Sequence, residues 1–211
     1  MSDPARRIGV LVSGRGSNLQ ALIDAIEGGR LNAAIAVVIS NVASAPAVAR
    51  AAHAGIETLV IPHTSWPSRE AFDEQLAATL VERDVRLVCL AGFMRRLSPR
   101  FLERYPGPVL NVHPSLLPAF PGTDAPAQAL AYGVKVAGCS VHLVTAELDG
   151  GPIVRQAAVP VLSGDSAETL AARILIEEHR LLPAAVDCIL GGRWRLDGRR
   201  FVETPISAPL A

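Results

Sequence analysis

The sequence predicts a single α/β domain: a mixed, mostly parallel β-sheet with helices on both faces. Three observations carry this. Apolar runs alternate with amphipathic helical periods through roughly the first hundred residues. The strand candidates there are almost continuously apolar, as strands covered on both faces are. Past Val109, two further strand-like runs follow each other closely enough to pair antiparallel.

"IGVLV" (8–12) is a buried strand, and "SNLQALIDAIEGG" after it has helical spacing and a stop at Gly28 and Gly29. "AAIAVVISN" predicts a second strand, "APAVARAAHAG" a helix and "IETLVI" a third strand. "SREAFDEQLAATLVERD" is a longer helix with Ser68 as its N-cap, and "VRLVCLAG" a fourth strand. Right-handed crossovers between such units make this half Rossmann-like. "GPVLNV", "VAGCSVHLVTAEL" and "GPIVRQAAVPVL" then predict strands, and "SAETLAARILIEEHRLLPAAVDCIL" a closing helix. The core is expected over residues 8–191. Residues 192–211 are expected to form a short hairpin around Asp197-Gly198 and a fraying tail. No internal repeat or linker divides the chain, so one domain is expected over 1–211.

Hydrophobic residues make up 50% of the 211, and mean hydropathy is +0.31, which excludes a disordered chain. Twenty basic and twenty acidic side chains leave no global footprint for nucleic acid or an anionic membrane, although a local cationic pocket remains open. The start "MSDPARRIGVLVSG" is too short in apolar residues for a signal peptide, and no later run could span a bilayer. A cytoplasmic protein acting on small molecules, as monomer or homodimer, is the expectation. Cys89, Cys139 and Cys188 stand singly in apolar stretches, so buried reduced thiols are expected, with no metal site.

"SGRGSN" (13–18) lies between the first strand and its helix, where backbone N–H groups and the helix dipole attract an anion. It lacks the Lys of a Walker loop, and Leu19 occupies the place of the third glycine of a dinucleotide fingerprint. The second strand ends in "ISN" without the acid that would grip an NAD ribose. A single phosphate fits better; a tight turn needing glycine for backbone reasons alone is the equal alternative.

"VLNVHPSLLPAFPGTD" (109–124) ends a strand at a sheet's carboxyl edge, where ligands of such folds bind. Positions two apart share a strand face, so Asn111 and His113 sit together, and an amide donor beside an imidazole suits an oxyanion and a proton transfer. For an isolated histidine a structural role is the better expectation, and His142 in "CSVHLVT" is read that way. Asp149 in "ELDGGPIV" (147–154) is either an Asp-Gly turn or, if its loop folds back, a carboxylate favouring the charged form of His113. Pro114, Pro118 and Pro121 are expected to stiffen the wall that follows His113.

Four stretches in this order, "VLVSGRGSNLQALIDA", "LAGFMRRLSP", "NVHPSLLPAFPG" and "ELDGGPIV", resemble the folate-dependent formyltransferase family. The likeness runs from about Ile8 to Gly191 and is nearest the purine-biosynthesis branch, which formylates 5-phosphoribosyl-glycinamide. It implies a one-carbon transferase using 10-formyltetrahydrofolate as co-substrate and no metal. It places catalysis on Asn111, His113 and Asp149, and the substrate phosphate on Gly16, Ser17 and Asn18, with Glu178 at the glycinamide. It places the folate on Arg69, Met94, Arg95, Arg96, Leu97 and Asn111, with backbone of 144–149 along the pterin. One departure stands out: Asp124 occupies a place where the family commonly has a histidine.

Within the same chemistry the chain is expected to end too soon for the tRNA-binding domain of methionyl-tRNA formyltransferase. It is likewise expected to lack the leading regulatory domain of formyltetrahydrofolate hydrolase, in which water replaces the amine. A phosphate-sensing binding protein and an NAD-dependent oxidoreductase are the readings from other classes.

Overall fold

A computed structural model of the chain describes residues 6–204. The elements in order are β1 (Arg7–Val12), α1 (Ser17–Glu27), β2 (Ala34–Ser40), α2 (Pro46–His53), β3 (Thr58–Val60), α3 (Arg69–Val81), β4 (Leu87–Leu90), α4 (Pro99–Arg104) and β5 (Val109–His113). They continue with α5 (Ala125–Tyr132), β6 (Val136–Leu143), β7 (Ile153–Pro160), α6 (Ala167–Leu190), β8 (Trp194–Asp197) and β9 (Arg200–Glu203).

Seven strands make one sheet in the order β3-β2-β1-β4-β5-β6-β7. β1, β2, β3, β4 and β5 pair parallel, whereas β5 with β6 and β6 with β7 pair antiparallel. Period-two alternation assigns the strand residues to two cores. Ile8, Val10 and Val12 pack with Leu19 and Leu22 of α1 and with Leu182 and Val186 of α6, while Leu11 points the other way, toward Phe72 of α3 and Phe101 of α4. Phe72 and Phe101 are fully buried, and cutting either to Ala costs about 3–5 kcal/mol. The mixed sheet with helices on both faces is as the sequence predicts.

Ser68 caps α3 by accepting the Ala71 N–H at 3.1 Å, as expected. Gly28 and Gly29 end α1, and the hairpin forms with Gly198 at φ 60°. The fraying expected of residues 205–211 lies outside the described residues. Two helices were not anticipated, α4 and α5, of six and eight residues. Both are too short for periodicity to speak, although Ser98, which caps α4 by accepting from Phe101 N, and Pro99 at its start were readable signals. Cys89 and Cys139 are buried, and burial pushes their thiols up to about 12. Cys188 is only half-buried, a correction: it lies in the last turns of α6, near the solvent-facing hairpin.

Candidate active site

Strand order reverses between β1 and β4, and the crevice of such a sheet opens at that switch point, beyond the carboxyl ends of the strands. Its floor is stitched by polar groups that follow those ends. Ser13 Oγ donates to Asn41 Oδ1 at 2.6 Å and accepts the Met94 N–H at 2.9 Å, and Asn41 Nδ2 meets His63 Nδ1 at 3.1 Å. The loops after β1, β2, β3 and β4 are thereby held together.

The glycine loop sits at one side. Gly16 has φ 74°, and a Cβ there would lie 2.6 Å from Ala47 Cβ, so both conformation and the approach of α2 demand glycine. The Ala47 N–H reaches Gly14 O at 3.1 Å, and Arg50 Nε donates to Arg15 O at 2.9 Å, clamping the loop from α2. No side chain caps α1, which leaves its first-turn N–H groups without a side-chain partner. Asn18 Nδ2 donates to Glu178 Oε2 at 2.8 Å, joining α1 to α6. Burial pushes the Glu178 carboxyl above its usual range, and the Asn18 hydrogen bond offsets this only in part.

Asn111 and His113 end β5 on one face, as their spacing implies, with Asp149 beside them. His113 Nδ1 stands 3.5 Å from Asp149 Oδ2, and both side chains are under 10% exposed. His113 Nε2 donates to Phe120 O at 2.9 Å, so a ring protonated at both nitrogens faces an acceptor at each. Burial by itself would raise the Asp149 carboxyl. The nearby His142 and His113 imidazoles and the hydrogen bond from the Gly122 N–H outweigh it and hold the group below its usual value.

His142, read from the sequence as structural, lies against this cluster. It is 2% exposed and stands opposite Asn111 in the β5–β6 ladder, with Nε2 3.2 Å from Asn111 Nδ2 and 3.7 Å from Asp149 Oδ1. The sequence signal was the strand alternation around it, which lacked a register to fix its face.

Asp149 reaches the pair because its loop turns sharply. Its own φ is 49°, and Gly151 passes so close to β6 that a Cβ would lie 1.7 Å from Leu143 O. Arg199 of the hairpin donates to Gly150 O at 2.7 Å, and Arg96 donates to Ala146 O, fastening the same loop from two sides. The proline segment after His113 is anchored too. Ser140 Oγ donates to Ser115 O at 2.7 Å and accepts from Leu117 N at 3.0 Å, while Gln156 Nε2 donates to Leu117 O at 3.0 Å.

The remaining expected residues are less tightly gathered. Met94 follows β4 beside Ser13 with its side chain exposed, whereas Leu97 is buried in the α3–α4 core, so only its backbone can meet a ligand. The Arg95 guanidinium lies 5.3 Å from the Phe72 ring centre, and Arg69 opens α3 with its ion pair to Glu70 at 3.5 Å. Among the described residues, no hydrogen bond joins Arg69 to the Asn111–His113–Asp149 cluster. Asp124 caps no N–H; it is exposed, with φ 55°, and its carbonyl accepts the Gln128 N–H at 3.0 Å to start α5. Asp, Asn and His are the side-chain-bearing residues that best tolerate such a φ, so aspartate meets the same backbone demand as histidine there.

The formyl transferase family matches residues 6–186. The chain belongs to that family. It is 44% identical to the phosphoribosylglycinamide formyltransferase of Escherichia coli strain K12, over 91% of this chain and 94% of that protein. A crystal structure of glycinamide ribonucleotide transformylase 1 from Symbiobacterium toebii superposes with a TM-score of 0.92 at 52% identity, covering 94% of both chains. The trifunctional purine biosynthetic protein adenosine-3 of Drosophila pseudoobscura pseudoobscura is 48% identical over 99% of this chain. This chain spans only 15% of that much longer relative.

Proposed function

We propose that the chain moves the formyl group of 10-formyltetrahydrofolate to the primary amine of 5-phosphoribosyl-glycinamide, in the cytosol, as a step of de novo purine (IMP) biosynthesis. The products are the N-formyl amide and tetrahydrofolate. The observation that carries this reading is the meeting of half-buried Asn111 with the buried side chains of His113 and Asp149 in one cluster at the mouth of the sheet, one carboxylate oxygen 3.5 Å from the imidazole. Relatives named for this reaction match nearly end to end, which supports the choice of substrates.

The substrate phosphate sits on the backbone N–H groups of Gly16, Ser17 and Asn18, and its glycinamide end approaches Glu178. The folate enters between the 94–97 segment, Arg69 and the backbone of 144–149. Alignment of amine and formyl carbon removes part of the barrier, an effect of up to about 7–11 kcal/mol in well-oriented systems. As the amine nitrogen attacks, the carbonyl π-pair moves to the formyl oxygen. Asn111 donates an N–H to that oxyanion, and the charged His113 ring stabilises it through its field. The ammonium then loses a proton, N10 gains one, and the C–N10 bond breaks as the carbonyl reforms. Asp149, facing the ring at 3.5 Å, offsets its charge and positions a water for this relay.

The test mixes purified protein with 10-formyltetrahydrofolate and follows tetrahydrofolate, with and without glycinamide ribonucleotide. Release that depends on the amine is expected. Equal release without it would establish a hydrolase instead, and none in either case would leave a phosphate-sensing protein.

A further inference from the structure

An asparagine amide presents two donors from one end and an acceptor from the other, so its value to an oxyanion depends on which end faces the crevice. Asn111 does not fix that choice by itself; its neighbour in the ladder does. His142 Nδ1 stands 3.0 Å from Leu143 O. A carbonyl oxygen only accepts, so Nδ1 carries the proton. In the neutral ring Nε2 is then bare, and a bare nitrogen 3.2 Å from the Asn111 amide must face its NH₂ end. One N–H is taken by His142, and the other remains.

That remaining donor matters because His113 has none to spare, with Nε2 turned to Phe120 O and Nδ1 facing Asp149. We propose that His142 is a positioning residue for the transfer, its bare Nε2 holding Asn111 with the amide N–H toward the reacting formyl oxygen. This rests on the transferase reading above.

The competing arrangement is a cationic His142 that donates from Nε2 to Asp149 Oδ1, with Asn111 turned to offer oxygen. Distances oppose it: Nε2 to Oδ1 is 3.7 Å, beyond hydrogen-bond range, while Nε2 to the amide is within it. Asp149 is already engaged on its other oxygen, which accepts the Gly122 N–H at 2.8 Å and faces His113. On the far side of the ladder His142 stands opposite Ile153, which offers no charge.

Two measurements test the proposal. Long-range ¹⁵N–¹H spectra of the full chain near neutral pH read the ring directly: Nδ1 protonated and Nε2 bare is expected, and a proton on Nε2 overturns it. This result does not depend on turnover, so its failure is separate from failure of the transferase reading. The second is a pair of substitutions. In His142→Gln the side-chain oxygen falls where Nε2 stands, and kcat stays within about tenfold of wild type. In His142→Asn the amide ends one atom short of Asn111, and kcat falls about 100-fold while KM for both substrates holds, the cost typical of one lost oxyanion donor. Thermal melts establish that both variants fold. Equal losses in the two variants, or a loss carried in KM, overturn the proposal.

Discussion

Replacing Asp149 with Asn isolates the charge of the buried carboxylate from its shape. The amide oxygen can still accept the Gly122 N–H, now held at 2.8 Å, so the loop keeps its anchor. On the proposed mechanism the lost quantity is the attraction between the carboxylate and a charged His113 ring. At 3.5 Å and an effective dielectric of about 20 this is roughly 5 kcal/mol. Desolvation of the pair takes back part of it, so a kcat loss of about 100- to 1000-fold is expected, about 3–4 kcal/mol on the barrier. Single-turnover mixing with amine and folate saturating reads the chemical step free of product release. The melting temperature should fall, since removing one partner of a buried pair also destabilises the fold, and a cooperative melt above the assay temperature establishes that the variant is folded. A folded variant whose single-turnover rate falls by less than about fivefold would refute the assignment, because removing one partner of a buried pair costs about 3–5 kcal/mol.

Glu178→Gln should raise Tm by about 2–4 °C near pH 8 and weaken glycinamide ribonucleotide binding. Its carboxyl is raised in the fold by burial, so the charged form penalises stability. The penalty is absent below the ordinary carboxyl range and grows as pH rises through that range toward the raised value. Melts at pH 4 should therefore coincide; a gain of equal size at both pH values would contradict this origin. Gly16→Ala, which meets Ala47 and a φ of 74°, should cost about 1–3 kcal/mol in denaturant melts and raise KM for the phosphorylated substrate far more than for the folate. Arg199→Ala should leave global stability within about 1 kcal/mol, since the residue is exposed, yet speed amide exchange over residues 147–150. Unchanged exchange there would mean that the hairpin does not hold the loop.

The parallel half of the fold was legible because its signals are local. Each strand is an apolar run ended by a turn, and each helix carries its own period or cap, Ser68 being the plainest. What escaped was short or remote. α4 and α5, of six and eight residues, are below the length at which spacing separates helix from loop. The tie from Arg199 to Gly150 spans 49 residues, and nothing in "LDGRR" announces that a hairpin tip reaches back to a loop beside the site.

The same distinction divides the site. Asn111 and His113 share a face by the period of a single strand, which no tertiary contact can alter. The carboxylate needed more: Asp149 arrives only because Gly151 lets the chain pass against Leu143 O, a constraint visible as a pair of glycines but not as a direction. His142 needed most. Its side chain meets Asn111 only in the register that pairs Leu110 with Leu143 and Asn111 with His142. A slip of one residue would turn it to the opposite face and bring Val141 or Leu143 against Asn111. No feature of "CSVHLVT" selects between the two. The selection comes from neighbours, since Ser140, two positions earlier on the same face, is bonded to Ser115 and Leu117 of the proline segment. The proline stretch after His113 is therefore tied into the strand pairing: by gripping Ser140 it favours the register that delivers His142 to Asn111.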